Sequence, residues 1–404
     1  MTHAHADMQH VKALVAVSLY LLVSVNAAHA NEAAERAAVR DEATQAYRTG
    51  DIDTLERLHA RYSEFLTQRT SSGAFKMTLF FDGIANAKRD ATEGELQADI
   101  ARTRSWATER KDSPLAHVLH ASALQSYGGY FRGGGYANTV PPQAWKIYED
   151  YTNRAAQYLL ANETTASKSS TWHSWMLNVA KSSTWPSEVV DRLFEAGWKT
   201  NPNDYRLYRN VVEYLLPKWH GDALALDKFI RYAVTKAPHE YGPELYARLY
   251  SAVGENQFER RLYTDSLVEW PVMREGLELW FKRFPTDWNL NIFAYNACIA
   301  GDKELARLLL DGIGTQPQWE IWQPRARATF DTCTRWAADP DAERQGPKKA
   351  PEPEGKQSKG HTAPQVRPNP SLKLTRYGKH CKAGLRHTVH HLSPALQCSP
   401  PRAA

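Results

Sequence analysis

The chain has no apolar run approaching the roughly 20 residues that a membrane-spanning helix needs. Its stretch 13–25, ALVAVSLYLLVSV, stops at thirteen. No convincing alternation of apolar and polar residues is present, so half-buried strands find no support. Catalytic signatures are missing as well. GxxxxGK followed by Ser or Thr, HExxH and Gly-x-Ser-x-Gly do not occur, and Ser72-Gly73-Ala74-Phe75-Lys76 has the wrong spacing for SxxK. Cysteine is scarce, with four in 404 residues. Only Cys298 and Cys333 lie outside the ends of the chain.

Those ends differ from the rest in composition. Lys12 precedes the thirteen-residue apolar run, and Ala28-His29-Ala30 supplies the small residues that a signal peptidase reads. Residues 1–30 are therefore read as a signal peptide cleaved before Asn31, which implies a periplasmic or secreted protein with no stable membrane anchor afterwards. Residues 345–404 hold nine of the 22 prolines and eleven Lys and Arg against two Glu. Such a segment cannot bury enough surface to offset its ordering entropy, so it reads as a disordered basic tail. The tail carries +9 of a chain total of +5, which leaves residues 31–344 at −4. A body of that charge offers no basic face, and no nucleic-acid partner is expected.

Residues 31–344 read as all-α. Leu226, Phe229, Ile230, Ala233 and Val234 form one helical stripe, as do Leu55, Leu58, Tyr62 and Phe65. Gly50-Asp51, Gly221-Asp222 and Gly301-Asp302 each pair a residue that ends a helix with one that caps the next. These short joints predict antiparallel neighbours. A second mark recurs at larger spacing: Pro202-Asn203-Asp204-Tyr205, Pro238-His239-Glu240-Tyr241 and Pro285-Thr286-Asp287-Trp288. Before the first two, a pair of apolar residues is followed by a small one, Gly197 or Ala233. Before the third stands Trp280. This punctuation predicts a tetratricopeptide-like solenoid of antiparallel helix pairs, with an irregular helical bundle as the competing arrangement.

The stretch 126–140, SYGGYFRGGGYANTV, lies between two helical patterns and reads as a helix–helix connection rather than a phosphate cradle. Four stretches, RTSSGAFKMTLFFDGI (69–84), GGYFRGGGYANTV (128–140), YLLPKWHGD (214–222) and FAYNACIAGDKELARLLLDGIG (293–314), resemble a family of uncharacterised exported bacterial proteins, a domain of unknown function with tetratricopeptide-like helices. The resemblance spans roughly residues 40–340. It implies the helical fold and the importance of those four segments. The family has no assigned activity, so no catalytic residue carries over.

Candidate chemistry is sparse. His117 and His120 have the spacing of a metal pair but no third ligand, so no metal or cofactor is expected. His220, in the sequence Trp219-His220-Gly221-Asp222, has an acid two residues away that could orient its ring for base catalysis, or the joint is simply capped. Capping is favoured because no nucleophile is identifiable. His173, between Trp172 and Trp175, and Arg132, in the glycine stretch, complete the candidates. Cys298 and Cys333 lie one helix apart on either side of the LARLLL helix and could meet in a disulfide. The expected function is a protein- or peptide-binding module on a concave helical surface. The alternative is an envelope-polymer hydrolase using a His and carboxylate site.

Overall fold

The computed structural model describes residues 32–135 and 137–342. The signal peptide and tail read from the sequence lie outside the described residues. Within them the chain is all-helical. There is no strand, only an isolated bridge between Arg69 and Phe75.

The principal helices are α1 (Glu32–Thr49), α2 (Ile52–Tyr62), α3 (Lys76–Ala87), α4 (Glu93–Glu109), α5 (Pro114–Arg132) and α6 (Pro142–Ala161). They continue with α7 (Ser170–Ser182), α8 (Ser187–Thr200), α9 (Tyr205–Tyr214), α10 (Ala223–Lys236) and α11 (Glu244–Val253). The last four are α12 (Trp270–Arg283), α13 (Asp287–Ile299), α14 (Lys303–Ile313) and α15 (Ala326–Ala338). The Gly-Asp joints fall between helices as read. Gly50 and Gly301 adopt φ of +72° and +77°, where a side chain would be strained. Asp51, Asp222 and Asp302 then accept from the amides of Thr54, Ala225 and Leu305. Neighbours in sequence pack together, and α7, α9 and α11 also pack one against the next.

The proline marks behave unequally. Asp204 caps α9 and Thr286 caps α13. After Pro238 the helix does not begin until Glu244, because Gly242, at φ +50°, and Pro243 insert a turn. The three aromatic residues of these marks nevertheless share a task. Tyr205 stacks on Phe75 with centroids 4.7 Å apart, Tyr241 lies 6.0 Å from the same ring, and Trp288 lies under the Arg36 guanidinium at 4.4 Å.

Phe75 ends a loop, 67–75, that the rest of the chain encloses. Ser72 is fully buried. Its carbonyl accepts from Trp280 Nε1 and Asn289 Nδ2, both at 2.9 Å, more than 200 residues away in sequence. Glu32 accepts from the Ser72 amide at 2.8 Å, the Ser72 hydroxyl at 2.6 Å and the Thr70 hydroxyl at 2.7 Å. A Cβ on Gly73 would stand 2.6 Å from Arg248 Nη2 and from Phe284, so only glycine passes there. Beneath the loop, the buried Glu244 receives Arg248 at 2.5 Å, Arg283 at 2.9 Å and Arg69 at 3.6 Å. This charge is buried, but it is heavily compensated.

Candidate functional site

The residues singled out in the sequence do not converge. Arg132 closes the end of α5, donating from Nη1 to the Gly133 and Gly135 carbonyls and lying over Trp145 at 5.4 Å. His173 is buried, bonds the Ser167 carbonyl at 3.0 Å and sits where Gly197 leaves room for it. A Cβ on Gly197 would be 2.7 Å from that of His173. His220 bonds the Lys181 carbonyl at 2.6 Å, while Lys181 Nζ lies over the Trp219 ring at 5.3 Å. Asp222 is occupied as the cap of α10, accepting from the Ala225 amide at 2.8 Å. Each histidine is thus held by a backbone carbonyl, the arrangement of an anchoring side chain. Cys298 and Cys333 form a disulfide with Cα atoms 5.9 Å apart, tying α13 to α15.

His117 and His120 are not a ligand pair. His117 is fixed by the Tyr158 hydroxyl and the Lys111 carbonyl, both at 2.8 Å, and His120 contacts Thr103 at 3.2 Å. Burial holds the His120 imidazolium down at about 4. Among the described residues no group of three or more metal-ligating side chains forms. A further buried histidine, His59, meets the Thr171 hydroxyl at 2.8 Å; that oxygen also accepts from Arg206, which forks onto Asp204 at 2.6 and 3.0 Å. Burial, aided by the Arg206 charge, pushes the His59 ring down to about 3.

The glycine stretch is the place where structure departs most from the sequence reading. Its first half is helix: α5 continues through Gly128 and Gly129 to Arg132. The two glycines serve different ends. A Cβ on Gly128 would lie 3.1 Å from Tyr151 Cβ and 3.3 Å from Tyr148 Cα, so this glycine lets α6 approach. A Cβ on Gly129 would meet nothing within 4 Å, and the same holds at Gly133 and Gly134. Those three residues face an open groove of about 580 Å³.

That groove is built from three walls. Helix α3 supplies Phe81, Ile84 and Lys88 just past its end, α5 supplies Ser122, Gln125 and Tyr130, and α7 supplies Trp175, Asn178 and Ser182. Tyr148 of α6 closes one side. Tyr130 is 49% exposed, an unusual posture for a large aromatic residue. Trp175 is fixed by donation from Nε1 to Gln125 Oε1 at 2.7 Å. Lys88 and Arg89 are the charged residues lining the groove, and no carboxylate lines it. Lys88 also borders a second cavity of about 450 Å³, toward Tyr47 and Asp99.

Lys88 has an unusual set of neighbours. Its Nζ donates to Ser122 Oγ at 2.7 Å and lies 5.5 Å from the Tyr47 ring centroid. Burial pushes its ammonium down to about 8, against the opposing pull of Asp99. Asp99 is engaged elsewhere, by the Tyr47 hydroxyl at 2.7 Å and Arg102 at 2.6 Å. Two other cavities contrast with this. One of about 240 Å³ is lined by Arg36, Arg209 and Arg248, and each of these already has a carboxylate: Glu32 at 2.6 Å, Glu213 at 3.4 Å and Glu244 at 2.5 Å. It shares Ser251, Glu255 and Ile292 with a neighbouring cavity of about 310 Å³.

Sequence reasoning missed Lys88, Ser122 and Gly129. The available signal was the glycine stretch itself, since a glycine inside a helix needs a packing or functional reason. No protein-family model matches the chain, and neither a curated protein nor a solved structure matches it.

Proposed function

We infer that this protein is an exported, tetratricopeptide-like binding module whose partner is a peptide segment entering the groove between α3, α5 and α7. The observation that carries the reading is the groove: about 580 Å³, floored by glycines whose missing side chains leave it open, with Tyr130, Tyr148 and Trp175 around it. Aromatic side chains of this kind contribute large contact area at small entropic cost, as at protein interfaces generally. The side-by-side packing of α7, α9 and α11, with α8 and α10 interposed in sequence, supports the repeat reading. The stretches that resemble uncharacterised exported bacterial proteins bear on the groove by position alone. Two of the four, 69–84 and 128–140, supply groove residues. The cavity of about 240 Å³ is bordered by the chain's own Ala74 and Phe75, and its Arg36, Arg209 and Arg248 already have carboxylates, which directs the reading to the α3/α5/α7 groove.

The test is selection from a displayed random-peptide library with the wild-type protein and a Gly129→Trp variant. The side chain at 129 would leave the helix into the groove, since a Cβ there meets nothing within 4 Å. Peptides enriched on the wild type and lost on the folded variant are the expected result. Enrichment equal on both, or none on the wild type, would remove the reading.

A further inference from the structure

A charged amine partly withdrawn from bulk water is favoured when an opposite charge or several hydrogen bonds meet it. Lys88, half-buried where two cavities meet, has neither in full. Ser122 supplies one neutral acceptor, and the closest carboxylate, Asp99, is already paired with Arg102. The groups facing Lys88 from each neighbouring element are Tyr47 and Arg48 of α1, Asp99 and Arg102 of α4, Ser122 of α5, and Asp90 and Glu95 on the far side of the second cavity. Of the acids, Glu95 is engaged by Thr92 in the cap of α4, and Asp90 is exposed at the rim. Among the described residues that line the larger groove there is no acid.

Resting on the peptide-binding reading above, we propose that Lys88 and Ser122 form the anchor for a carboxylate, and that the groove takes the C-terminal end of a peptide. Charge complementarity fixes the sign. One ammonium beside one hydroxyl matches the two oxygens of a carboxylate, whereas the second cation of the groove, Arg89, is exposed and bonded to Asn86 at 2.7 Å, so the phosphate arm below decides whether its charge recruits a dianion instead. The Ser122 hydroxyl accepts from Lys88, so its own proton is available to the second carboxylate oxygen. Tyr148 and Trp175 line the same groove, which favours an aromatic or aliphatic last residue.

The experiment uses the peptides enriched by the selection, made as free acids and as C-terminal amides, with inorganic phosphate as a third arm. Binding is read by fluorescence polarisation on the full chain. The free acid should bind more tightly than its amide by about 10- to 100-fold, the range of one charge-assisted hydrogen-bonded anchor. Lys88→Met should erase that difference. Equal binding of acid and amide to the wild type would overturn the carboxylate anchor yet leave peptide binding standing. Competition by millimolar phosphate with no discrimination between acid and amide would overturn it in favour of a phosphate site. Binding of neither peptide form would take down both readings. The comparison of acid with amide uses the wild-type chain, so it remains decisive even where Lys88→Met fails to fold.

Discussion

Adjacent glycines on α5 carry opposite expectations. Gly129 is helical and faces open space, so Gly129→Ala should stabilise the protein by about 0.5–1 kcal/mol through backbone entropy. Gly128 faces Tyr148 and Tyr151 at contact distance, so Gly128→Ala should destabilise by about 1–3 kcal/mol through overpacking. Thermal melts of the two variants check both signs. Buried histidines make a second prediction. His59 and His120 are held at about 3 and about 4 in the folded chain, below the usual 6.5. Between those values and 6.5 the unfolded chain binds the extra protons. Their contribution is therefore complete above about pH 6.5 and is lost as pH falls through 4 toward 3. Denaturant midpoints between pH 7 and pH 4 should fall less steeply in His120→Asn than in the wild type; an identical slope would contradict the assignment. None of this was legible residue by residue. His173 and His220 stood out in the sequence beside aromatic and acidic neighbours, but a backbone carbonyl from six or 39 positions away holds each ring.

Element boundaries were far more legible, because they depend on local chemistry. Gly-Asp joints and the Asp204 and Thr286 caps act within three residues, and each was readable as punctuation. Trp280 shows where local pattern stops. It occupies the position of a small residue because its indole reaches Ser72, and Gly276, one turn earlier, provides the close approach instead. A Cβ there would stand 2.4 Å from the Pro243 carbonyl oxygen. Near the other end, the disulfide joins α13 to α15 across a separation of 35 residues. Loop-closure entropy gives such a bridge about 4 kcal/mol. Replacing both cysteines by serine should lower the melting temperature by several degrees, with early loss of protection in α14 and α15. An unchanged melt would show that helix packing alone holds these elements.

At the scale of the molecule, the fold is organised by a segment no local rule identifies. Loop 67–75 sits among side chains from α1, α9, α11, α12 and α13, and its contacts span more than 200 residues of sequence. The aromatic residues of the repeated proline marks were visible in the sequence, but that Tyr205 and Tyr241 meet on Phe75 while Trp288 meets Arg36 was not, since periodicity reports a face and never what covers it. Since the arginines of the smaller cavity are already paired, the central claim is that the α3/α5/α7 groove is where a partner binds. Hydrogen–deuterium exchange of the full chain, with and without a saturating selected peptide, tests that claim most directly. The account predicts slowed exchange in 81–91, 122–134 and 175–182. Protection confined instead to 251–262, 292–296 and 320–324, around the cavity of about 310 Å³, would contradict it.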